Sequence, residues 1–304
     1  MTDKYAVIGN PIAHSKSPQI HKIFAEQTGQ DISYEAILAP LDGFAATVER
    51  LRKEGYKGCN VTVPFKHEVF NIATELSARA QAAQAVNTLK FTNNTIFGDN
   101  TDGIGLVRDV TQNLKYEIAG KRVLLMGTGG AAVGVAFLLS SHPIEICIAY
   151  RTDEKAQIIT ERIKSAPETL ATSVTSSSYP GLSIIRPRTP NNLSYKELNR
   201  DNQARNSNSD FLDRPFDLVI NATSAGLKNE MPDIPKTIFA PGALAYDMMY
   251  GKETPFMKFA RANGAAIVAD GLGMLVEQAA ESFFIWRGVR PETAPVIAKL
   301  RTQQ

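Results

Sequence analysis

The chain has only two cysteines in 304 residues, Cys59 and Cys147, far apart and in unlike contexts. That excludes a disulfide framework. Cys147 lies inside the apolar run EICIAY, and both read as reduced, buried thiols of a cytosolic protein, so a cytoplasmic location is expected. Histidine is also scarce. The four residues show no metal-ligand spacing, although His14 and His67 flank motifs discussed below, and no metal is expected. No sign of charge dominates: the formal net charge is +2, and lysines and arginines are scattered with no basic block between aromatics. This argues against nucleic acid or a membrane surface as partner. No run approaches the roughly 20 apolar residues of a membrane span. The opening stretch MTDKYAVIGNPIAHS lacks the long apolar core of a signal peptide. There is no internal repeat.

What is present is ordinary globular composition, 43% hydrophobic and 21% charged, at a length that suggests two domains. The first hundred residues alternate strand and helix. YAVIG (5–9) reads as a strand. SPQIHKIFAEQTG (17–29) reads as a helix with Ser17 at the N-cap, Pro18 at the first position and Gly29 as the stop. A strand over 33–39, a helix over 42–54, a strand over 58–64 and a helix over 66–83 follow. Residues 85–91 and 95–101 read as a hairpin around Asn93 and Asn94.

A second unit opens near residue 103. KRVLLMG (121–127) is continuously apolar, as buried parallel strands are. A helix over 128–141 and a strand over 144–151 complete a βαβ pattern. Further strands are expected at 217–222, 243–249 and 265–271, and a helix over 273–288. Residues 165–213, rich in Ser, Thr, Asn and Asp, read as a partly ordered excursion.

Between the strand at 121 and the helix after it stands Gly127-Thr128-Gly129-Gly130-Ala131-Ala132, which fits G-x-G-x-x-[GA]. The first glycine permits a tight turn, the second lets the backbone approach a diphosphate, and a small third residue lets helix and strand pack. The new helix offers free N–H groups and a partial positive charge. An NAD-binding fold would carry an acidic residue after the next strand. Tyr150-Arg151-Thr152 stands there instead. Arg151 can clamp a ribose 2′-phosphate, Thr152 can bond to it, and Lys155 adds charge, which favours NADP. Asp153 and Glu154 act against this reading, and a solvated charged turn is the alternative.

NVTVPFK (60–66) ends a buried-looking strand with a lysine. An enzyme that reduces a ketone needs a proton donor at the carbonyl oxygen and a charge to stabilise the developing alkoxide, and a lysine ammonium does both. Asp102, in the turn-rich GDNTDGIG (98–105), lies at the boundary of the two units, where clefts commonly form. It is a candidate partner for Lys66. A loop Asp before Gly otherwise serves as a turn or cap residue.

Taken together, GNPIAHSKSPQIHK (9–22), GCNVTVPFK (58–66), AVNTL (85–89), GDNTDG (98–103), GTGGAA (127–132), NATSAG (221–226), YDMMY (246–250) and ADGLGMLVEQAA (269–280) resemble the shikimate dehydrogenase family over almost the whole chain. The resemblance implies an α/β protein of two domains. One is a Rossmann-type NADP-binding domain over 103–272, excursion included. The other is a discontinuous substrate-binding domain with a mainly parallel sheet, 1–102, onto which the C-terminal helices 273–304 pack back. It further implies reversible NADPH-dependent reduction of 3-dehydroshikimate to shikimate, with Lys66 and Asp102 as the catalytic pair. Ser15 and Ser17 would receive the substrate carboxylate with Tyr250 nearby, and Asn60, Thr62, Asn87, Asp102 and Gln278 would hold the ring hydroxyls. The cofactor set would be Gly127, Thr128, Gly129, Gly130, Ala131, Arg151, Thr152 and Lys155, with Thr223, Ser224 and Gly271. The chemistry is reasonable in itself, since hydroxyls at a helix start can receive a carboxylate and amides can both donate and accept. Ser17 as a mere cap and Asn87 as a mere hairpin residue stay open alternatives, as does monomer or homodimer.

The chain departs from the family in two places. Tyr150 stands where the family has Asn before Arg-Thr, and the segment between that motif and FDLVINATS is longer than the family pattern. The nearest rival is a quinate/shikimate dehydrogenase with NAD or dual cofactor use. A non-catalytic ligand sensor would be expected to lose Lys66 or Asp102. A methylene-tetrahydrofolate dehydrogenase would not need the polyol-binding set.

Overall fold

The computed structural model describes residues 2–149, 183–185 and 214–303. The first part of the chain forms β1 (Asp3–Gly9), α1 (Ser17–Thr28), β2 (Ile32–Leu38), α2 (Phe44–Lys53), β3 (Gly58–Val61), α3 (Glu68–Ile72), β4 (Glu75–Leu76), α4 (Ala78–Ala83), β5 (Thr88–Phe91) and β6 (Ile96–Asp99). The second part forms α5 (Asp102–Arg108), which runs on into a π-helical turn (Asp109–Asn113), then β7 (Arg122–Met126), α6 (Gly130–Leu139), β8 (Glu145–Ala149), β9 (Ser183–Ile185), β10 (Phe216–Asn221), β11 (Phe239–Asp247), α7 (Pro255–Ala262), β12 (Ile267–Asp270), α8 (Leu272–Arg287) and α9 (Ala294–Arg301).

Among the described residues these strands form two six-stranded sheets. The first has the order β2-β1-β3-β5-β6-β4, parallel except where β5 runs antiparallel to β3 and β6. The second, β12-β11-β10-β7-β8-β9, is parallel throughout. Its central strands β7 and β10 are the near-continuous apolar runs RVLLM and FDLVIN, which suits strands covered on both faces. The strand order reverses at β7 and β10, so a crevice opens beyond their carboxyl ends.

Most elements lie where periodicity and punctuation place them, and the differences have physical causes. Ser17 is the first helical residue of α1, with Lys16 before it at the cap position and no side-chain cap bond. The helix closes as expected at Gly29, with φ 63°, whose N–H donates to the Ala25 carbonyl. The single helix expected over 66–83 is broken. Thr74 donates its N–H to the Ile96 carbonyl (2.9 Å) and accepts from the Ile96 N–H (2.8 Å), so the chain joins the sheet as β4 before Ser77 caps α4. Of the excursion read over 165–213, only 183–185 is among the described residues, and it adds β9 to the sheet edge beside β8.

Two clusters cover the first sheet. One gathers Ile8, Val61, Phe44 and Phe65, the two phenylalanines stacked at 4.5 Å. The other joins α1 to α8 and α9 through Ile20, Phe24, Val276, Phe283 and Leu300. The last turn of α8 reaches the sheet itself: the Trp286 indole N–H donates to the Leu89 carbonyl (2.9 Å), its ring stacks on Tyr5 at 4.6 Å, and Arg287 pairs with Asp3. Arg79 of α4 pairs with Asp99 (2.5 Å) and with Glu281 of α8 (3.2 Å). On the other side the Tyr246 hydroxyl of β11 donates to Asp109 (2.6 Å), while Asn113 donates to Asp109 (3.0 Å) and to Glu277 of α8 (2.9 Å). The two cysteines are buried and unbridged.

The seam around α5 is close. A Cβ placed on Gly103 would lie 2.3 Å from the Gly134 carbonyl oxygen of α6 and 3.1 Å from Leu138 Cβ. A Cβ on Gly105 would lie 2.8 Å from the Met274 oxygen and from Gln278 Cβ on α8. Gly103→Ala is expected to lower unfolding stability by about 3 kcal/mol through overpacking against backbone that has no rotamer to change. Urea denaturation checks this, and a midpoint shift of less than a few tenths of a molar would contradict the close seam.

Candidate active site

Strands β1 and β3 end at Gly9 and Val61, and the segments that follow carry Ser15, Ser17, Thr62 and Lys66. Backbone bonds fix this end of the sheet: Asn10 N–H to the Val63 carbonyl (3.1 Å), Thr62 N–H to Ile8 (2.9 Å), and Val86 N–H to Lys66 (2.9 Å). Lys66 is thereby aimed at the head of α5. Its Nζ donates to Asp102 Oδ2 at 2.5 Å, with side-chain exposures of 18% and 7%. An ammonium has three donors, and the structure shows one of them used here.

Asp102 is held in turn. Its second oxygen accepts from Asn87 Nδ2 (2.9 Å), and its own N–H donates to Asn100 Oδ1 (3.1 Å). Asn87 Nδ2 also faces Thr101 Oγ1 (3.0 Å) and Gln278 Oε1 (3.4 Å), and Asn87 Oδ1 accepts from the Thr101 N–H (2.9 Å). Lys66, Asp102, Asn87 and Gln278, which are distant in sequence, thus form one hydrogen-bonded group. Asn60 is joined to it from behind. Its Nδ2 donates to Ser282 Oγ (2.9 Å), Thr88 Oγ1 (3.1 Å) and the Asn87 carbonyl (3.2 Å), and its Oδ1 accepts from the Tyr34 hydroxyl (2.7 Å). Thr62 is half-buried, and its methyl stands close to Gly9. Ser17 is buried, and its N–H donates to Ser15 Oγ at 3.3 Å. Tyr250 is half-buried against the cluster that joins α1 and α8, and burial raises its hydroxyl above the usual phenol range.

The glycine-rich loop lies in the crevice where the strand order reverses. Gly127 has φ +119°, and a Cβ there would meet the Ala222 carbonyl at 2.9 Å, so the sharp turn and the neighbouring strand both require glycine. Gly129 precedes α6, whose first internal bond runs from Val133 N–H to the Gly129 carbonyl, leaving the earlier N–H groups directed outward. Thr128 and Ala131 are half-buried, and Gly129 is exposed. A Cβ on Gly130 would stand 3.1 Å from Ala85 Cβ and 3.5 Å from the His67 ring, so this loop borders the Lys66 segment. His67 Nδ1 lies 3.0 Å from the Gln84 carbonyl, which can only accept, so that nitrogen carries the proton. Across the crevice, after β10, Thr223 donates its hydroxyl to Asn221 Oδ1 (2.7 Å), and Ser224 is exposed. Gly271 follows β12, with its N–H on the Met249 carbonyl (2.9 Å). A glycine-rich lip at a helix start, opposite hydroxyls, has the chemistry to receive a dinucleotide diphosphate. Arg151, Thr152 and Lys155 lie outside the described residues. Among the described residues no three of His, Cys, Asp or Glu converge as a metal site, and no helix is long and apolar enough to cross a membrane.

Several members of the site escaped sequence reasoning. Tyr34, Thr88, Thr101 and Ser282 complete the polar frame, and nothing local marks them. His21 does carry a signal. It shares the stripe Ser17, Ile20, His21, Phe24 at helical spacing and is wholly buried. It stacks on Tyr34 at 4.1 Å, and burial pushes its imidazole down to about 3 although Asn60 stands beside it.

Comparison with known proteins agrees with this geometry. Residues 7–89 match the family model for the shikimate dehydrogenase substrate binding domain, and residues 271–301 match that for the shikimate 5'-dehydrogenase C-terminal domain. The chain is 54% identical to a shikimate dehydrogenase (NADP(+)) of Methylobacillus flagellatus over 98% of this chain and 99% of that one. It is 53% identical to one of Nitrosospira multiformis over 99% and 98%. Among solved structures, an Ael1 enzyme from Pseudomonas putida superposes with a TM-score of 0.81 at 43% identity, covering 98% of each chain. Shikimate 5-dehydrogenase of Thermus thermophilus, in complex with NADP(H) and shikimate, superposes with a TM-score of 0.77 at 27% identity, covering 100% of each. From the paired lysine and aspartate to the glycine-rich crevice and the full-length similarity, the chain belongs to the shikimate dehydrogenase family.

Proposed function

We propose that this chain catalyses the reversible NADPH-dependent reduction of 3-dehydroshikimate to shikimate, a step toward chorismate and the aromatic amino acids. The observation that carries the reading is the 2.5 Å contact of Lys66 with Asp102, in a segment bordered by the glycine-rich loop. The cofactor, when bound, supplies a hydride to the carbonyl carbon. Lys66 donates a proton from its ammonium to the carbonyl oxygen as negative charge develops there, which yields the alcohol and a neutral amine that solvent reprotonates. In the reverse direction the neutral amine takes the proton from the hydroxyl. Asp102 holds the ammonium in place and, with Asn87 and Gln278, faces the ring hydroxyls.

Ser15, Ser17 and Tyr250 receive the carboxylate, and Asn60 and Thr62 complete the pocket wall. Gly127, Thr128, Gly129, Gly130 and Ala131 hold the diphosphate, with Thr223, Ser224 and Gly271 opposite. Arg151, Thr152 and Lys155 read the 2′-phosphate by virtue of their place in the sequence. Residues 1–102 and 273–304 form the substrate-binding unit and 103–272 the NADP-binding unit, a division supported by the bonds of Trp286 and Arg287 to the first sheet. Two buried, unbridged cysteines fit a reducing compartment, and we place the enzyme in the cytoplasm.

Three measurements test this reading. Lys66→Ala is expected to lower kcat by about a thousandfold with only a modest change in KM, as for a group that acts mainly in the transition state. A kcat near that of the wild type would remove Lys66 from the chemistry. Arg151→Ala is expected to weaken NADP+ binding about tenfold and spare NAD+, read by calorimetric titration. Equal losses for the two cofactors would refute the 2′-phosphate contact. NADP+ reduction followed by nicotinamide absorbance should be strong with shikimate and weak with quinate or NAD+. Comparable rates with quinate or NAD+ would move the chain to the dual-specificity branch. Shikimate binding without turnover would leave a ligand sensor.

A further inference from the structure

The two ligand sites meet at one buried carboxylate that neither site uses. Asp247, the last residue of β11, has no exposed surface. Its Oδ1 accepts from the Met249 N–H (3.0 Å), and its Oδ2 accepts from Thr254 Oγ1 (2.5 Å) and Asn221 Nδ2 (3.2 Å). Burial raises this carboxyl above the usual range, while the three donors act the other way. Each donor belongs to a different structure. Met249 opens the turn to Tyr250. Thr254 caps α7, its hydroxyl accepting from the Met257 N–H (3.2 Å). Asn221 ends β10, and its Oδ1 accepts from Thr223, both hydroxyl (2.7 Å) and N–H (3.2 Å).

The bonds therefore form a chain that runs from the turn carrying Tyr250, through Asp247 and Asn221, to the loop carrying Thr223 and Ser224. Packing reinforces it. A Cβ on Gly226 would stand 2.6 Å from Met249 Sδ, and one on Gly271 would stand 2.2 Å from the Met248 oxygen. The segments after β10, β11 and β12 thus rest directly on one another.

We propose that Asp247 is a positioning residue that sets the cofactor-side loop and the substrate-side turn together, so that Thr223, Ser224 and Tyr250 are presented in register to their ligands. This rests on the function proposed above. Only a carboxylate serves. Its two oxygens accept on both sides, whereas an asparagine would turn an N–H2 group toward either the Met249 N–H or the Asn221 N–H2, neither of which can accept. A buried donor facing a donor is costly, and the loop relaxes to relieve it. The Asn221 side chain transmits the constraint from Asp247 to the Thr223 loop, whereas its backbone carbonyl, which accepts from the Met248 N–H (3.0 Å), is kept in a side-chain variant.

The test is direct calorimetric binding of NADP+ and of shikimate to four proteins, with melting temperatures in parallel. The wild type should bind both; failure there would overturn the proposed function and not this inference alone. Asp247→Asn is expected to weaken both ligands by about tenfold. Asn221→Ala is expected to weaken NADP+ and leave shikimate within twofold. Thr254→Val removes the α7 cap and the hydroxyl donor to Asp247 but keeps both loop bonds, from Met249 and Asn221, so it should lower the melting temperature and leave both affinities within twofold. The pattern of two losses, one loss and none supports a positioning role. Unchanged affinities in Asp247→Asn, or equal losses in Thr254→Val, would reduce Asp247 to a stabilising residue. If Asp247→Asn does not fold, the Asn221→Ala result alone decides, and an unchanged NADP+ affinity there would overturn the proposal.

Discussion

Asp102 stands at the head of a short helix that is pressed by backbone on both sides, and its contact with Lys66 depends on that closeness. Gly103 meets the Gly134 carbonyl of α6, and Gly105 meets Met274 and Gln278 of α8. Without side chains at these points α5 cannot slide or rotate by the width of a methyl group without opening a void or a clash. The carboxylate therefore reaches Lys66 at 2.5 Å without a flexible linker. The same contact brings Gln278 against Asn87 and Thr101, although the helix that carries it lies far along the chain. α5 also joins the two sheets, since one flank packs on the nucleotide-side helix and the other on the helix that returns to the first sheet.

Around this helix the site is built of polar groups that satisfy one another. Asn60, Asn87, Thr88, Thr101 and Ser282 are buried and mutually bonded, so the two amides keep one orientation. A buried polar network is costly where any member lacks a partner, and this one is nearly closed among the described residues. Outside it, Arg79 joins Asp99 to Glu281, and Trp286 and Arg287 hold the far end of α8 to β5 and β1. These contacts keep Gln278 beside Asn87 and Thr101 by anchoring the far end of its helix. Preorganisation of this kind suits a reaction in which charge develops on one oxygen, since donors already in place need not reorient as the charge appears.

The nucleotide side follows a different logic. There the glycine-rich loop leaves backbone uncovered at the start of α6. Gly127 takes a conformation closed to L residues and approaches Ala222, and Gly130 lies against Ala85 and His67. On the opposite wall hydroxyls stand on a loop held through Asn221 to the buried Asp247. The chain is similar over its full length, at about half identity, to shikimate dehydrogenases (NADP(+)).

The sequence by itself determined what local chemistry determines. YAVIG and RVLLM are strands because their apolar runs need two covered faces. Gly29 ends α1 because a left-handed residue is needed there, and the glycines after β7 mark a tight turn into α6. Family motifs implied Lys66 and Asp102 as a pair, and Asn60, Thr62, Asn87, Asp102 and Gln278 as a polar set. Only the tertiary structure decided that they touch, because contact across 36 or 191 positions depends on helix packing and not on spacing. It also broke the helix expected over 66–83, since pairing of Thr74 with Ile96 outweighed local helix propensity. It put His21, Tyr34, Ser282 and Asp247 into the frame of the site. Each of these owes its role to partners from other segments, and a residue's own neighbours in sequence carry no record of which distant groups it meets when the core closes.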